Sequence, residues 1–366
     1  MTNKININDQ IFLDNLINCK SKNITEKNSL LKVIKIHPVR VSSYYLSLID
    51  SNDPFDPIAK MALPSVEELD NRGSYDTSGE IQNTKMEGLQ HKYSTTALIL
   101  ATNKCSVYCR HCFRKRLVGL SDNEVIKRLD EAFDYIAQHK EINNILITGG
   151  DPLMLPTSII QSFIDKLYTL ENVDFIRIGT RIPVTDPTRL LRNKSLIQLL
   201  SRYTKMGKRM YIVTQVNHPR ELTPLAKEAF DMLIDSGVII SNQAVLLKGV
   251  NDSPEILIDL FNGITRFGIV PYYLFQCRPV RRVKNHFQVP LLKGYEIIET
   301  AKRRLNGHSK RFRYIMSHRT GKIEIIGIID DEIILKYHQA KNPNNFGKII
   351  KRKIRPYDCW YDELQK

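Results

Sequence analysis

The sequence predicts an α/β chain whose parallel sheet is covered by helices. Three observations carry that expectation. Short apolar, β-rich runs recur at Ala97–Ala101, Asn144–Thr148, Phe175–Gly179, Met210–Thr214, Val238–Val245 and Ile269–Gln276. Each of the first five is followed by a helical pattern. Runs such as NNILITG and VIISNQAVLL are almost continuously apolar, as strands buried on both faces must be. Six such units are too few for a closed eight-stranded barrel. An open doubly wound sheet and a partial six-stranded barrel both fit, and both place chemistry at the C-terminal ends of the strands.

Residues 1–90 read as a mostly helical lead-in, punctuated by Asp53-Pro54, Asp56-Pro57 and Leu63-Pro64. Residues 71–86 are polar and turn-rich, a candidate linker. Residues 91–295 hold the strand–helix rhythm. A helix is expected over Asp122–His139, with Val125, Leu129, Ala132, Phe133 and Ile136 on one face. Further on, Thr223 caps a helix with Pro224 in its first turn and Gly237 at its end, and Ser253, Pro254 and Gly268 repeat the scheme. After a helix over Lys293–Gly307, residues 296–366 form a C-terminal appendage and basic tail. Its runs Arg311–Met316, Gly321–Ile328 and Glu332–His338 read as antiparallel strands.

Composition narrows the class. Of 366 residues, 42% are hydrophobic and 25% charged, which excludes wholesale disorder, collagen and coiled coil. No apolar stretch reaches eighteen residues, so no membrane span is expected. The start, MTNKININDQIFLDN, lacks a secretory pattern, and a cytoplasmic location is expected. Lysine and arginine outnumber acids 54 to 39, a net +15 spread along the chain. Spread-out charge reads as solvated surface, and neither a nucleic acid nor a membrane is expected as partner.

Chemistry concentrates in the cysteines. Of six, Cys105, Cys109 and Cys112 fall within eight residues at the end of the first strand, in ALILATNKCSVYCRHCFRKR. A tight cluster in a reducing compartment is metal-binding or catalytic rather than a disulfide framework. A structural zinc site needs four closed ligands, whereas three thiolates on an iron–sulfur cubane leave one iron open to a ligand.

C-x3-C-x2-C after the first barrel strand resembles the radical S-adenosylmethionine (SAM) superfamily. The resemblance implies a partial (β/α)6 barrel, a [4Fe–4S] cluster on Cys105, Cys109 and Cys112, and SAM cleaved to a 5′-deoxyadenosyl radical. The second strand ends in Gly149-Gly150-Asp151-Pro152, where that superfamily has a glycine-rich motif touching the amino group of SAM. His111 falls near the adenine, and Gln215 is a further expected SAM contact. Glycines let backbone approach a ligand, and Asp151 is an acceptor for an ammonium.

The segments HKYSTTALILATNKCSVYCRHCFRKR, LITGGDPL, RIGTRIPV, NHPREL, NQAVLLKGVND and PYYLFQC resemble the lysine 2,3-aminomutase family, and NDPFDPIAKMALPSVEEL extends the likeness. That family moves an amino group from C2 to C3 of an amino acid with the SAM radical and pyridoxal 5′-phosphate (PLP), so an isomerase is implied. Gly321-Lys322 aligns with the PLP anchor, which makes Lys322 the expected catalytic lysine, although the glycine-rich run before the family's anchor is replaced by Ser317-His318-Arg319-Thr320. Lys92, Tyr93 and Gln243 match positions around PLP, Lys92 replacing an arginine. Thr96 stands where relatives have a second phosphate-contacting arginine. Arg114 matches the arginine that takes the substrate α-carboxylate, a role suited to a planar, two-pronged donor. An amino acid substrate, an electron donor such as flavodoxin or ferredoxin and a homo-oligomeric assembly are the implied partners.

The pattern breaks at the distal end of the substrate. Lysine enzymes clamp its ammonium between two aspartates, whose places here are taken by Arg278 and Ser317. An arginine would repel that ammonium, so the substitution points to an acidic amino acid, glutamate first, with lysine still open. A zinc site of some relatives uses a cysteine where this chain has Ser253 plus a C-terminal cysteine cluster. With Cys359 alone in the tail, no such zinc is expected. Isolated Cys19 and Cys277 read as small buried hydrophobes, and Trp360 as packing for the tail. Two alternatives stay open. One is the lysine 2,3-aminomutase-like branch that modifies a translation factor. The other is a non-catalytic basic binding protein on the same fold, against which the intact cysteine triad argues.

Overall fold

The computed structural model describes residues 24–365. One sheet runs in chain order through β1 (Thr84–Met86), β2 (Leu89–Tyr93), β3 (Thr96–Thr102), β4 (Asn144–Gly149), β5 (Phe175–Gly179), β6 (Arg209–Thr214), β7 (Ile239–Leu246), β8 (Val270–Gln276), β9 (Arg313–His318), β10 (Gly321–Ile329), β11 (Glu332–Ala340) and β12 (Ile349–Lys353). Neighbours from β3 to β9 pair in parallel, and the pairs at both ends are antiparallel. The strand order never reverses, as a doubly wound sheet requires it to do. The architecture is therefore the partial α/β barrel, left open between β1 and β12.

Six helices cover the parallel strands: Leu129–Gln138, Thr157–Thr169, Lys194–Lys205, Pro224–Asp235, Pro254–Arg266 and Leu291–Arg304. Each buries an apolar stripe against the sheet, for example Phe163 with Ile164, and Leu260 with Phe261. Their ends follow the sequence signals. The hydroxyl of Thr223 accepts from Ala226 N at 3.1 Å, that of Ser253 from Ile256 N at 3.3 Å, and Gly268 closes its helix at φ +74°. No helix among the described residues is long and apolar enough to cross a membrane. Trp360 is buried in the main core, and Cys277 is buried in a second cluster with Ile58 and Phe287. Cys19 lies outside the described residues.

Three local expectations are corrected. The helix expected from Asp122 begins only at Leu129, because Ile126 N donates to Leu100 O at 2.8 Å and holds the preceding residues against β3. The three C-terminal strands pair antiparallel with one another as expected, but they are no separate appendage. The helix Leu291–Arg304 acts as a crossover, so β9 joins β8 in parallel and extends the barrel wall. The polar stretch read as a linker is packed: Ser74 bridges to Val280, and Glu80 is 6% exposed.

Candidate active site

The ends of the barrel strands open into a cavity of about 680 Å³. The residues expected to touch the cluster, SAM, PLP or substrate all line it: Cys105, Cys109, Cys112, His111, Gly149, Gly150, Asp151, Gln215, Lys92, Tyr93, Gln243, Lys322, Arg114, Arg278 and Ser317. These come from the β3–β4 loop, five different strands and the turns between them. Only the closing of the sheet brings them to one space.

The three cysteines are free thiols on the loop after β3. Burial raises the thiol pKa of Cys105 and pushes that of Cys112 up to about 11. Thiolates at these positions therefore need a cation, which a metal cluster supplies. The loop is held rigidly from the N-terminal region. Buried Glu68 accepts from Arg110 at 2.8 and 2.6 Å and from Lys115 at 2.7 Å, and Lys115 also donates to Arg110 O. On the cavity side the Arg181 guanidinium reaches Cys109 Sγ and Glu221. Three thiols lining one cavity on a single loop, one of them beside a guanidinium, suit a three-thiolate iron–sulfur cluster.

The glycine pair, which lines the cavity, also serves the packing of the chain itself. A Cβ on Gly149 would lie 2.3 Å from Thr102 O, and one on Gly150 2.3 Å from Lys104 O. What approaches these glycines is the chain's own cysteine loop, which Gly150 N and Asp151 N hold through Thr102 O and Lys104 O. Asp151 is likewise engaged within the protein, accepting from Leu153 N, Thr180 Oγ1 and Arg181 N. His111 accepts through Nε2 from Gln215 at 3.4 Å and Asn217 at 3.3 Å, which leaves its buried Nδ1 without a partner. Burial holds this imidazole well below the usual range, so it is neutral. An orphaned ring donor beside the thiols is a ready contact for a ligand.

On the opposite wall Lys322 opens β10. Its Nζ donates to Gln339 Oε1 at 2.9 Å and sits over the rings of Tyr93 and Tyr273. Burial, with Arg177 and Arg278 nearby, lowers its amine to about 7. Near neutral pH a substantial fraction of this amine is unprotonated and nucleophilic, as a lysine that captures an aldehyde cofactor must be. Lys92 is lowered to about 7 by burial and by Arg278 and Lys322, but its Nζ is spent on Ser78 O and His318 O. Gln243 faces the same cavity from β7.

Arg114 is 6% exposed, donating Nε to Glu80 Oε1 at 3.2 Å and NH1 to Thr148 at 3.4 Å. Arg278 donates to Ser317 Oγ at 2.8 Å and stacks 4.1 Å above the Phe113 ring. The two residues expected at the distal end of the substrate thus touch each other. Sequence reasoning passed over Glu80, Arg177 and Arg181. Arg177 had a signal, since a charge in the otherwise apolar strand FIRIG must face something polar. Glu80 had none, lying in a stretch that looked like solvent-exposed loop.

Comparison with known proteins shows the family. Residues 99–261 match the Radical SAM superfamily, and the molecule is a radical SAM enzyme. A protein of Aquifex aeolicus (strain VF5), provisionally named L-lysine 2,3-aminomutase, is 40% identical over 92% of this chain and 90% of its own length. The L-lysine 2,3-aminomutase of Clostridium subterminale is 36% identical over 78% of this chain and 67% of its own. The glutamate 2,3-aminomutase of Clostridioides difficile (strain 630) is 37% identical over 71% and 60% respectively. The chain belongs to the lysine 2,3-aminomutase family, a family of isomerases whose cofactors are a [4Fe–4S] cluster, SAM and PLP.

Proposed function

We propose that this chain is a PLP-dependent 2,3-aminomutase that moves the amino group of an acidic amino acid, glutamate first, from C2 to C3. When bound, the cluster and SAM supply a hydrogen-abstracting radical, and PLP supplies the carrier for the migrating nitrogen. The protein's part is binding and orientation. Cys105, Cys109 and Cys112 would hold the cluster, with His111 and Gln215 beside the adenine and Asp151 on the SAM side. Lys322 would hold PLP, flanked by Tyr93 and Gln243. Arg114 would take the α-carboxylate, and Arg278 with Ser317 the distal one.

The observation that carries the substrate reading is the Arg278–Ser317 contact. Burial lowers the Arg278 guanidinium to about 10, still charged at neutral pH. Among the described residues its hydrogen bond goes to a hydroxyl and no carboxylate is ion-paired with it. A distal carboxylate would complete this site, whereas an ammonium would meet a like charge in a poorly solvated space. Anaerobically reconstituted protein is expected to convert glutamate and not lysine, with product β-amino acids read by mass spectrometry. Conversion of lysine alone would sink the reading.

A further inference from the structure

We infer that Arg177 anchors the phosphate of PLP, from the barrel wall rather than from the β3 position where the family's arginine is missing. The inference rests on the PLP reading above and adds the residue that holds the anion.

Arg177 interrupts an apolar strand. Its register partners are Leu146 on β4 and Tyr211 on β6, and all three line the cavity. Its NH2 donates to Asn144 Oδ1 at 2.5 Å, and the Asn144 amide donates to Thr96 Oγ1 at 3.1 Å. Asn144 therefore brings the guanidinium next to Thr96, where an arginine is absent. Two donors in this wall are buried without partners, Arg177 Nε and Gln90 Nε2. Among the described residues no carboxylate is ion-paired with Arg177. An enclosed guanidinium with an unmade hydrogen bond and no counter-ion costs free energy until an anion joins it. Lys92, by contrast, already has two backbone carbonyls. A phosphate monoester matches this guanidinium, since one of its oxygens would take the unpartnered Nε–H. Lys322 lies within electrostatic reach, as a cofactor with aldehyde and phosphate on one ring requires.

The test is a titration of the purified protein with PLP and, separately, with pyridoxal, which lacks the phosphate. Binding is followed by the absorption of the Lys322 adduct, and the adduct is trapped with borohydride. Wild-type protein is expected to prefer PLP by about a hundredfold or more. Arg177→Gln should cut that preference at least about tenfold, the scale of one charge-assisted hydrogen bond, while the accompanying rise in the Lys322 pKa acts on both aldehydes alike and cancels in the ratio. Arg177→Lys should fall between. An unchanged preference in Arg177→Gln overturns the assignment. If Arg177→Lys loses pyridoxal binding too, the residue serves the fold and the assignment falls. No adduct on wild-type Lys322 with either aldehyde overturns the PLP reading itself, and the inference with it.

Discussion

The carboxylate of Glu80 is shared between two arginines, accepting from Arg114 Nε at 3.2 Å and from Arg116 NH2 at 2.7 Å, with all three side chains largely buried. Burial alone would push its carboxyl pKa up, but Arg114 and Arg116 outweigh it and hold it below the ordinary value. Glu80 stays ionised and fixes the fork on which the α-carboxylate is proposed to land.

Replacing Glu80 with glutamine keeps the shape and removes the charge. Arg114 then loses a charge-assisted bond, and its guanidinium gains rotational freedom. We expect KM for the amino acid to rise about ten- to a hundredfold, with a smaller change in kcat and no change in PLP uptake. Steady-state kinetics beside a PLP titration checks this. Equal losses of KM, kcat and PLP would instead indicate damage to the whole wall.

Glu68 gives a pH signature of the brace under the cysteine loop. Burial raises its pKa, but Lys115 and Arg110 overcome this and lower the carboxyl from 4.5 to about 2. Between those values the unfolded chain binds the proton and the folded chain does not. The stabilisation is thus complete above about 4.5 and is lost as pH falls towards 2. Glu68→Gln should cost about 3–5 kcal/mol at pH 7, as when one partner of a buried ion pair is removed. The gap in urea midpoint between wild type and variant should shrink below pH 4.5. A gap independent of pH would show that Glu68 acts through packing.

Lys322 should capture an aldehyde with a pH dependence set by its surroundings. Burial comes first, then Arg177 and Arg278, and the amine is lowered from 10.5 to about 7. The adduct rate should rise with pH through about 7 and level off above about 8, because only the neutral amine attacks. Arg278→Ala removes a neighbouring cation and should move the midpoint upward. Stopped-flow absorbance across pH 5–10 measures both. A rate still climbing at pH 10 would mark Lys322 as an ordinary surface-like lysine.

Much of the site was legible before any coordinates, because its chemistry is written in short spacings. Cys105, Cys109 and Cys112, the Gly149-Gly150-Asp151 turn and Gly321-Lys322 each sit at a strand end, where an α/β sheet exposes its chemistry. Two readings gained a second role in the structure. Gly149 and Gly150, which line the cavity as expected of a ligand contact, also admit the chain's own loop at Thr102 and Lys104. Asp151, expected as an acceptor for an ammonium, joins the ends of β4 and β5. Neither could be foreseen from residue type, since a glycine records that something comes close and not what it is.

By itself the sequence determined the βα rhythm and the thiol trio; that Arg278 and Ser317 stand in for a pair of acids is what its resemblance to the lysine enzymes implies. The rhythm and the trio are local properties, fixed by periodicity and by which side chains stand a few residues apart. Only the tertiary structure decided that the sheet stays singly wound, that β9 extends the wall and that Arg278 meets Ser317 across 39 positions of chain. It also decided that Glu80, Glu68 and Arg177 matter. A buried charge is worth what its neighbours make it, and those neighbours come from segments that touch only once the barrel has formed.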